Sequence, residues 1–135
     1  MQSISARGIA RTLTELDLAR LRKLASDKPQ QWLIRLLDEV DILDARELPS
    51  DTVTMNSTVE CWDLSTGRRQ QLTLCYPHDA EPAAGLVSVL SPVGCALIGL
   101  RAGDIARWQT PSGEGVVAQV LSVLFQPEAS GDYTL

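Results

Sequence analysis

Between residues 14 and 43 apolar residues recur at spacings of three and four, whereas from residue 53 they come in short alternating runs broken by Gly, Pro and Asp. The first pattern predicts helices and the second strands, because a helix returns every third or fourth side chain to one face and a strand every second. Leu18, Leu21, Leu24 and Ala25 form the stripe of a first helix that starts near Thr14. Thr14 can accept a backbone N–H as N-cap and Leu13 can staple onto Leu18. Glu15 and Asp17 place negative charge at the positive end of the dipole. Residues 1–13 carry no clear period and, Leu13 apart, are expected to fray. Ser26-Asp27-Lys28-Pro29 breaks the run, since Pro29 disfavours helical geometry at Lys28. Leu33, Leu36, Leu37, Val40 and Leu43 then mark a second helix, with Asp38, Glu39 and Asp41 facing away. The two helices predict a short antiparallel hairpin over residues 1–48, and Leu48-Pro49-Ser50-Asp51 separates it from a second unit, residues 49–135.

In that second unit five strands are predicted near Thr58–Asp63, Arg68–Tyr76, Gly85–Val89, Asp104–Gln109 and Val116–Phe125. Ser65-Thr66-Gly67 closes the first strand pair and Pro111 to Gly115 the last. His78 to Ala84 is a polar loop that a tight turn does not explain. Between the third and fourth strands, Ser91 suits an N-cap, Pro92 the first helical position and Gly99 the left-handed position after the last turn, so a helix of about two turns is expected there. The order of strands, one short helix and strands predicts an α+β fold in which a curved antiparallel sheet wraps a helix.

Composition narrows the functional classes. The 135 residues carry a net charge of −5 with a pI near 4.7, which argues against binding nucleic acid by broad neutralisation of its backbone. The charge is uneven: residues 1–35 hold seven basic and three acidic groups, a balance of +4 that leaves −9 for the rest. That asymmetry suits two solvated faces or an oriented approach to a polar partner. Cys61, Cys75 and Cys95 show no CxxC spacing and read as reduced thiols of a cytoplasmic protein. No apolar run approaches the roughly 20 residues of a membrane helix, so no membrane association is expected.

Candidate chemistry is sparse. His78 is the single histidine and lies in a Pro/Asp loop, and with the three cysteines it gives no zinc-ligand spacing. Asp38 and Asp41 share a helix face at i,i+3, as on any solvated helix. Neither GxxxxGK[ST] nor a strand-linked GxGxxG occurs. The residues therefore predict no catalytic, metal or cofactor site.

The string Ser91 to Asp104, SPVGCALIGLRAGD, resembles the central signature of the C-terminal domain of the transcript-cleavage factors GreA and GreB. The flanking DTVTMNSTVECWDLSTG and the ending FQPEASGDYTL resemble more closely the family of the regulator of nucleoside diphosphate kinase. The resemblance covers residues 50–135 well and residues 14–45 only as a helical hairpin. It implies an FK506-binding-protein-like fold and attachment to RNA polymerase at the rim of its secondary channel. In the Gre factors a docking loop that typically reads Asp or Asn, then Ser-Pro, precedes the short helix. Ser91 and Pro92 match it, and Leu90 stands where the polar residue would be.

The resemblance thus implies partner contacts at Leu90, Ser91, Pro92 and Arg101, with Asp27 at the hairpin tip. Gre factors reach the polymerase active centre with a longer coiled coil whose acidic tip helps to hold a catalytic metal. Here each arm has about 11–15 residues and reaches roughly 16–22 Å, with Asp27 alone at its tip. The expected protein is a monomeric, non-enzymatic transcription regulator that competes with other channel factors. The alternatives are a prolyl-isomerase-like enzyme, disfavoured by the few aromatic residues, and a binding module for another cytoplasmic protein such as a kinase-linked regulator.

Overall fold

The computed structural model describes residues 11–133. The first expected helix is present as α1 (Glu15–Asp27), and Thr14 caps it by accepting the Asp17 N–H at 3.1 Å. Three residues after α1, α2 (Gln31–Glu39) buries Leu33, Leu36 and Leu37. At 1.5 Å per residue α1 spans about 20 Å and α2 about 14 Å.

The second helix is shorter than its apolar period suggests. It ends at Glu39, and at Val40 the backbone turns extended (φ −72°, ψ 150°). Asp41–Leu43 then forms a strand, β2, parallel to β1 (Thr12–Thr14), with Leu13 opposite Ile42. Leu43 therefore belongs to a strand, and Arg11 and Thr12 are tied down rather than frayed; residues 1–10 lie outside the described part. β1 gains its place from partners remote in sequence. The Thr12 N–H donates to the Gly99 carbonyl at 3.0 Å, and the Asp41 N–H to the Arg11 carbonyl at 3.0 Å.

The main sheet has five strands: β3 (Thr58–Asp63), β4 (Arg69–Cys75), β5 (Leu86–Ser88), β6 (Ile105–Gln109) and β7 (Gly115–Phe125). Their spatial order is β5-β4-β3-β7-β6. The expected all-antiparallel sheet is corrected at one edge, where β5 runs parallel to β4 with Leu74 opposite Val87. The physical reason is the connection from Tyr76 to Gly85. Its two 3₁₀ turns, Pro77–Asp79 and Pro82–Ala84, carry the chain back along the sheet instead of reversing it in a tight turn. The long strand β7 pairs with β3 through two register shifts, at Thr58/Val59 and Glu60/Cys61. Such bulges bend a strand and raise its twist, which curls the sheet.

The short helix α3 (Pro92–Leu97) lies between β5 and β6 and buries Gly94, Ala96 and Leu97. One apolar core joins all of these elements: Leu13, Leu21, Leu33, Leu36 and Leu37 from the N-terminal part cluster with Val53, Met55, Val59, Leu74, Leu97, Ile98 and Val120. Burying a side chain of this size contributes about 1.5–3 kcal/mol, so the N-terminal helices and the sheet support one another. Among the described residues no helix is long and apolar enough to cross a membrane.

Candidate functional site

The turn that leads into α3 is built almost entirely from its own hydrogen bonds. The Ser91 hydroxyl donates to the Ser88 carbonyl at 2.6 Å and accepts the Gly94 N–H at 3.2 Å, so it caps α3 while closing the turn. The Ser91 N–H donates to the same Ser88 carbonyl at 3.0 Å, and the Leu90 N–H donates to the Ser88 hydroxyl at 3.0 Å. Pro92, at the first helical position, is exposed. Leu90 and Val93 are half-buried against the core. Gly94 is pressed onto the turn: a Cβ at this position would stand 1.9 Å from the Ser88 carbonyl oxygen and 2.9 Å from the Val89 Cα.

Ser91→Ala removes one hydroxyl that serves both the cap and the turn. A loss of about 1–2 kcal/mol in unfolding free energy is expected, the upper part of the range for an N-cap. Urea titration of the two proteins measures it; a change below about 0.5 kcal/mol contradicts the double role assigned to the hydroxyl.

Beyond α3 the chain turns at Gly99, whose φ of 79° is the left-handed geometry expected there. Arg101 follows in an exposed turn. Its N–H donates to Asp104 Oδ2 at 2.8 Å and its guanidinium Nε to Asp51 Oδ1 at 2.9 Å. This exposed ion pair orients the arginine more than it stabilises the fold. Leu90, Ser91 and Pro92 thus share one turn, Arg101 sits on the turn past the other end of α3, and Asp27 is the exposed last residue of α1.

A buried acidic residue is the feature that sequence patterning missed. Asp17, read from the sequence as a charge at the positive end of the α1 dipole, is 1% exposed. Its Oδ2 accepts the Met55 N–H at 3.1 Å, across the junction between α1 and the strand entry. Burial raises its pKa from 3.8 to about 7; the Met55 N–H and Arg20 oppose the rise and the Glu128 carboxylate adds to it. Glu128 is held close by, accepting the Thr54 hydroxyl at 2.8 Å. Burial, with Asp17 as a further cause, pushes the neighbouring Tyr76 hydroxyl up to about 12. A hint was available in the sequence, since Asp17 falls on the same helix face as Leu13, Leu21 and Leu24.

Elsewhere the chemistry is thin. Cys61 and Cys75 are buried free thiols, and burial lifts Cys61 to about 11, well away from thiolate reactivity. A shallow cavity of about 250 Å³ on the curled sheet is lined by Cys61, Asp63, Arg68, Gln70, Leu72 and Trp108, among others, and Trp108 is the one aromatic residue there. Among the described residues no three His, Cys, Asp or Glu side chains gather as a metal site would require.

A capped two-turn helix set between the ends of a curled five-stranded sheet is the arrangement that comparison with known proteins recognises. The family model for the transcription elongation factor GreA/GreB C-terminal domain matches residues 48–125, and the chain belongs to that family. Within it, the chain is 43% identical over 99 residues to the regulator of nucleoside diphosphate kinase of Escherichia coli K12, covering 73% of each. It is 35% identical over 117 residues to transcription elongation factor GreA of Solidesulfovibrio magneticus, covering 86% of this chain and 71% of that one. Among solved structures, a GreA/GreB factor from Nitrosomonas europaea superposes with a TM-score of 0.73 at 33% identity, covering 86% of this chain and 98% of that chain.

Proposed function

We propose that this protein is a transcription regulator that docks on RNA polymerase at the rim of the secondary channel and competes there with other channel factors. The observation that carries this reading is the preformed turn at Leu90, Ser91 and Pro92, fixed to α3 by the Ser91 hydroxyl, in a chain of the GreA/GreB family. In this reading residues 49–135 act as an FK506-binding-protein-like docking domain, with Arg101 as a flanking contact. Residues 1–48 form a short helical hairpin that fills part of the channel entrance. The protein works as a cytoplasmic monomer and makes no specific contact of its own with nucleic acid.

Transcript cleavage lies outside this function. An α1 arm of about 20 Å is short for reaching a buried active centre, and Asp27 stands alone at its tip, where the Gre factors carry more than one acidic residue. The test is a competition assay with core polymerase and a backtracked elongation complex. The protein is expected to displace a cleavage-competent channel factor without itself releasing short 3′ RNA products. Release that disappears in Asp27→Ala, or no displacement at saturating protein, contradicts the reading.

A second reading is favoured by the relative that is named for the regulation of nucleoside diphosphate kinase. In that reading the same turn docks on a kinase, and a direct binding measurement with the purified kinase separates the two. Prolyl isomerase activity draws little support from a shallow cavity with a single aromatic wall.

A further inference from the structure

Trp62 and Leu64 are 38% and 44% exposed, on a sheet whose core packs against the other side. Alternation along the strands decides which side each residue takes. Cys61, Asp63, Gln70, Ala118 and Trp108 line the cavity on the inner face, so their strand neighbours Trp62, Arg69, Val117 and Arg107 stand on the outer one. Register brings these four together. Trp62 lies opposite Arg69 on β4 and Gln119 on β7, and Arg107 on β6 lies opposite Val117. The Leu64 N–H donates to the Val117 carbonyl at 2.9 Å, which continues β3 past Trp62. The outer face thus carries an apolar strip with an arginine on each side. Arg69 and Arg107 are exposed, and among the described residues neither forms an ion pair; Glu60, two residues before Trp62 on the same face, pairs with neither.

We propose that this outer face is a second interaction surface, independent of the turn before α3, and that it takes an extended acidic segment of a partner protein: two carboxylates four residues apart with an apolar residue midway. Spacing sets the pattern. Three strand separations of about 4.8 Å and an offset of two residues put the Arg69 and Arg107 Cα atoms about 16 Å apart. In an extended segment residues i, i+2 and i+4 share one side and span about 13 Å, which two arginine side chains can bridge. The central apolar residue then lies on Trp62 while the carboxylates meet the guanidinium groups. Tryptophan and arginine are the residue types that most often dominate binding energy at protein interfaces. Charge decides against the other polyanion of this reach. Residues 36–135 carry −9, so most of this unit repels a nucleic-acid backbone, whereas a segment with carboxylates only at its two ends meets the arginines alone.

The experiment titrates the isotope-labelled full chain with the capped peptide Ser-Glu-Ser-Leu-Ser-Glu-Ser, with its counterpart carrying lysine for glutamate, and with oligouridylate, following amide and indole NMR shifts. The glutamate peptide should move the signals of Trp62, Arg69, Val117 and Arg107 and leave those of Leu90 and Ser91 in place. Replacing its leucine by serine should weaken binding about fivefold, as loss of a partly buried apolar side chain does. The double variant Arg69→Glu, Arg107→Glu should bind the glutamate peptide about tenfold or more weakly. It should bind the lysine peptide within about threefold of the original affinity, a rescue by reversed charge that loss of structure cannot produce.

The amide spectrum of each variant reports its fold. If the double variant proves unfolded, Arg69→Gln with Arg107→Gln takes its place, with the same loss expected for the glutamate peptide. No shifts on this face at the solubility limit of the glutamate peptide overturn the proposal, as does undiminished binding in a folded double variant or equal binding of the peptide without leucine. Tighter binding of oligouridylate than of the glutamate peptide assigns the face to nucleic acid and overturns it too.

Discussion

Asp17→Asn is expected to make the protein more stable at pH 8 by about 1–3 kcal/mol, an unusual gain for removing a charge from a hydrogen-bonded site. The folded pKa of Asp17 is about 7, against 3.8 for the free side chain. Between those values the folded protein holds this proton more tightly than the unfolded chain. Its contribution to stability is therefore complete below pH 4 and is lost as the pH rises through 7. A shift of about three pH units bounds the loss at roughly 4 kcal/mol. Asparagine stays neutral across this range and keeps an oxygen to accept the Met55 N–H. The test is chemical denaturation of both proteins from pH 4.5 to pH 8.5. The wild type should weaken across the window, while the variant should weaken less. Equal slopes would place the Asp17 pKa near its ordinary value.

Gly94→Ala is expected to be the most damaging single methyl addition in the described part of the chain. The new Cβ would stand 1.9 Å from the Ser88 oxygen and 2.7 Å from the Ser88 carbonyl carbon, both backbone atoms that no rotamer change can move aside. Relief requires α3 to lift from the turn or the end of β5 to move. Either shift disturbs the hydrogen bonds that Ser88 receives and the burial of Leu97 and Ile98. Overpacking of a well-filled site costs about 1–3 kcal/mol, and here the hydrogen bonds of the turn go as well. A loss of about 3–5 kcal/mol is expected, seen as a fall in melting temperature or as failure to fold. For contrast, Gly113→Ala meets no atom within 4 Å. Its cost is confined to the strain of a φ of 91°, about 1 kcal/mol. Similar losses at both positions would show that α3 and the turn are not in close contact at Gly94.

Much of this architecture is written in local sequence signals. The Thr14 cap, the break at Pro29, the Ser91-Pro92 helix start and the left-handed Gly99 each depend on side chains within four residues, and all four appear as read. The five main strands fall within one or two residues of their apolar runs. What the sequence hides is set by distant partners. β1 and β2 have three residues each, too few to show a period, and exist because Asp41 meets the Arg11 carbonyl and Thr12 meets Gly99. The parallel run of β5 depends on the path of the loop before it rather than on its own residues.

The site divides in the same way. That Ser91 caps α3 was legible from its type and from the proline beside it. That its hydroxyl also closes the turn depends on the carbonyl of Ser88 being carried there by β5. Asp17 was read by its place in a helix first turn, where carboxylates are usually solvated. Its burial follows from the Met55 segment and the Glu128 segment folding over it, which no spacing within α1 could reveal.

The clamp at the far end of α3 decides where the chain can tolerate an insertion. The Arg11 guanidinium donates to the Cys95 carbonyl at 2.7 Å and to the Ile98 carbonyl at 3.0 Å, while the Ser88–Ser91 turn grips the first residues of the same helix. The turn before α3 and the root of the N-terminal helices are thus separated by six residues of α3, about 9 Å, with no linker between them. Insertions at Lys28-Pro29-Gln30 can lengthen both arms and leave their aim unchanged, since neither end of α3 is touched. A single residue inserted between Val40 and Asp41 instead slips β2 against β1 and turns its side chains to the opposite face. The fold thus leaves the length of the arms free to change and fixes their bearing.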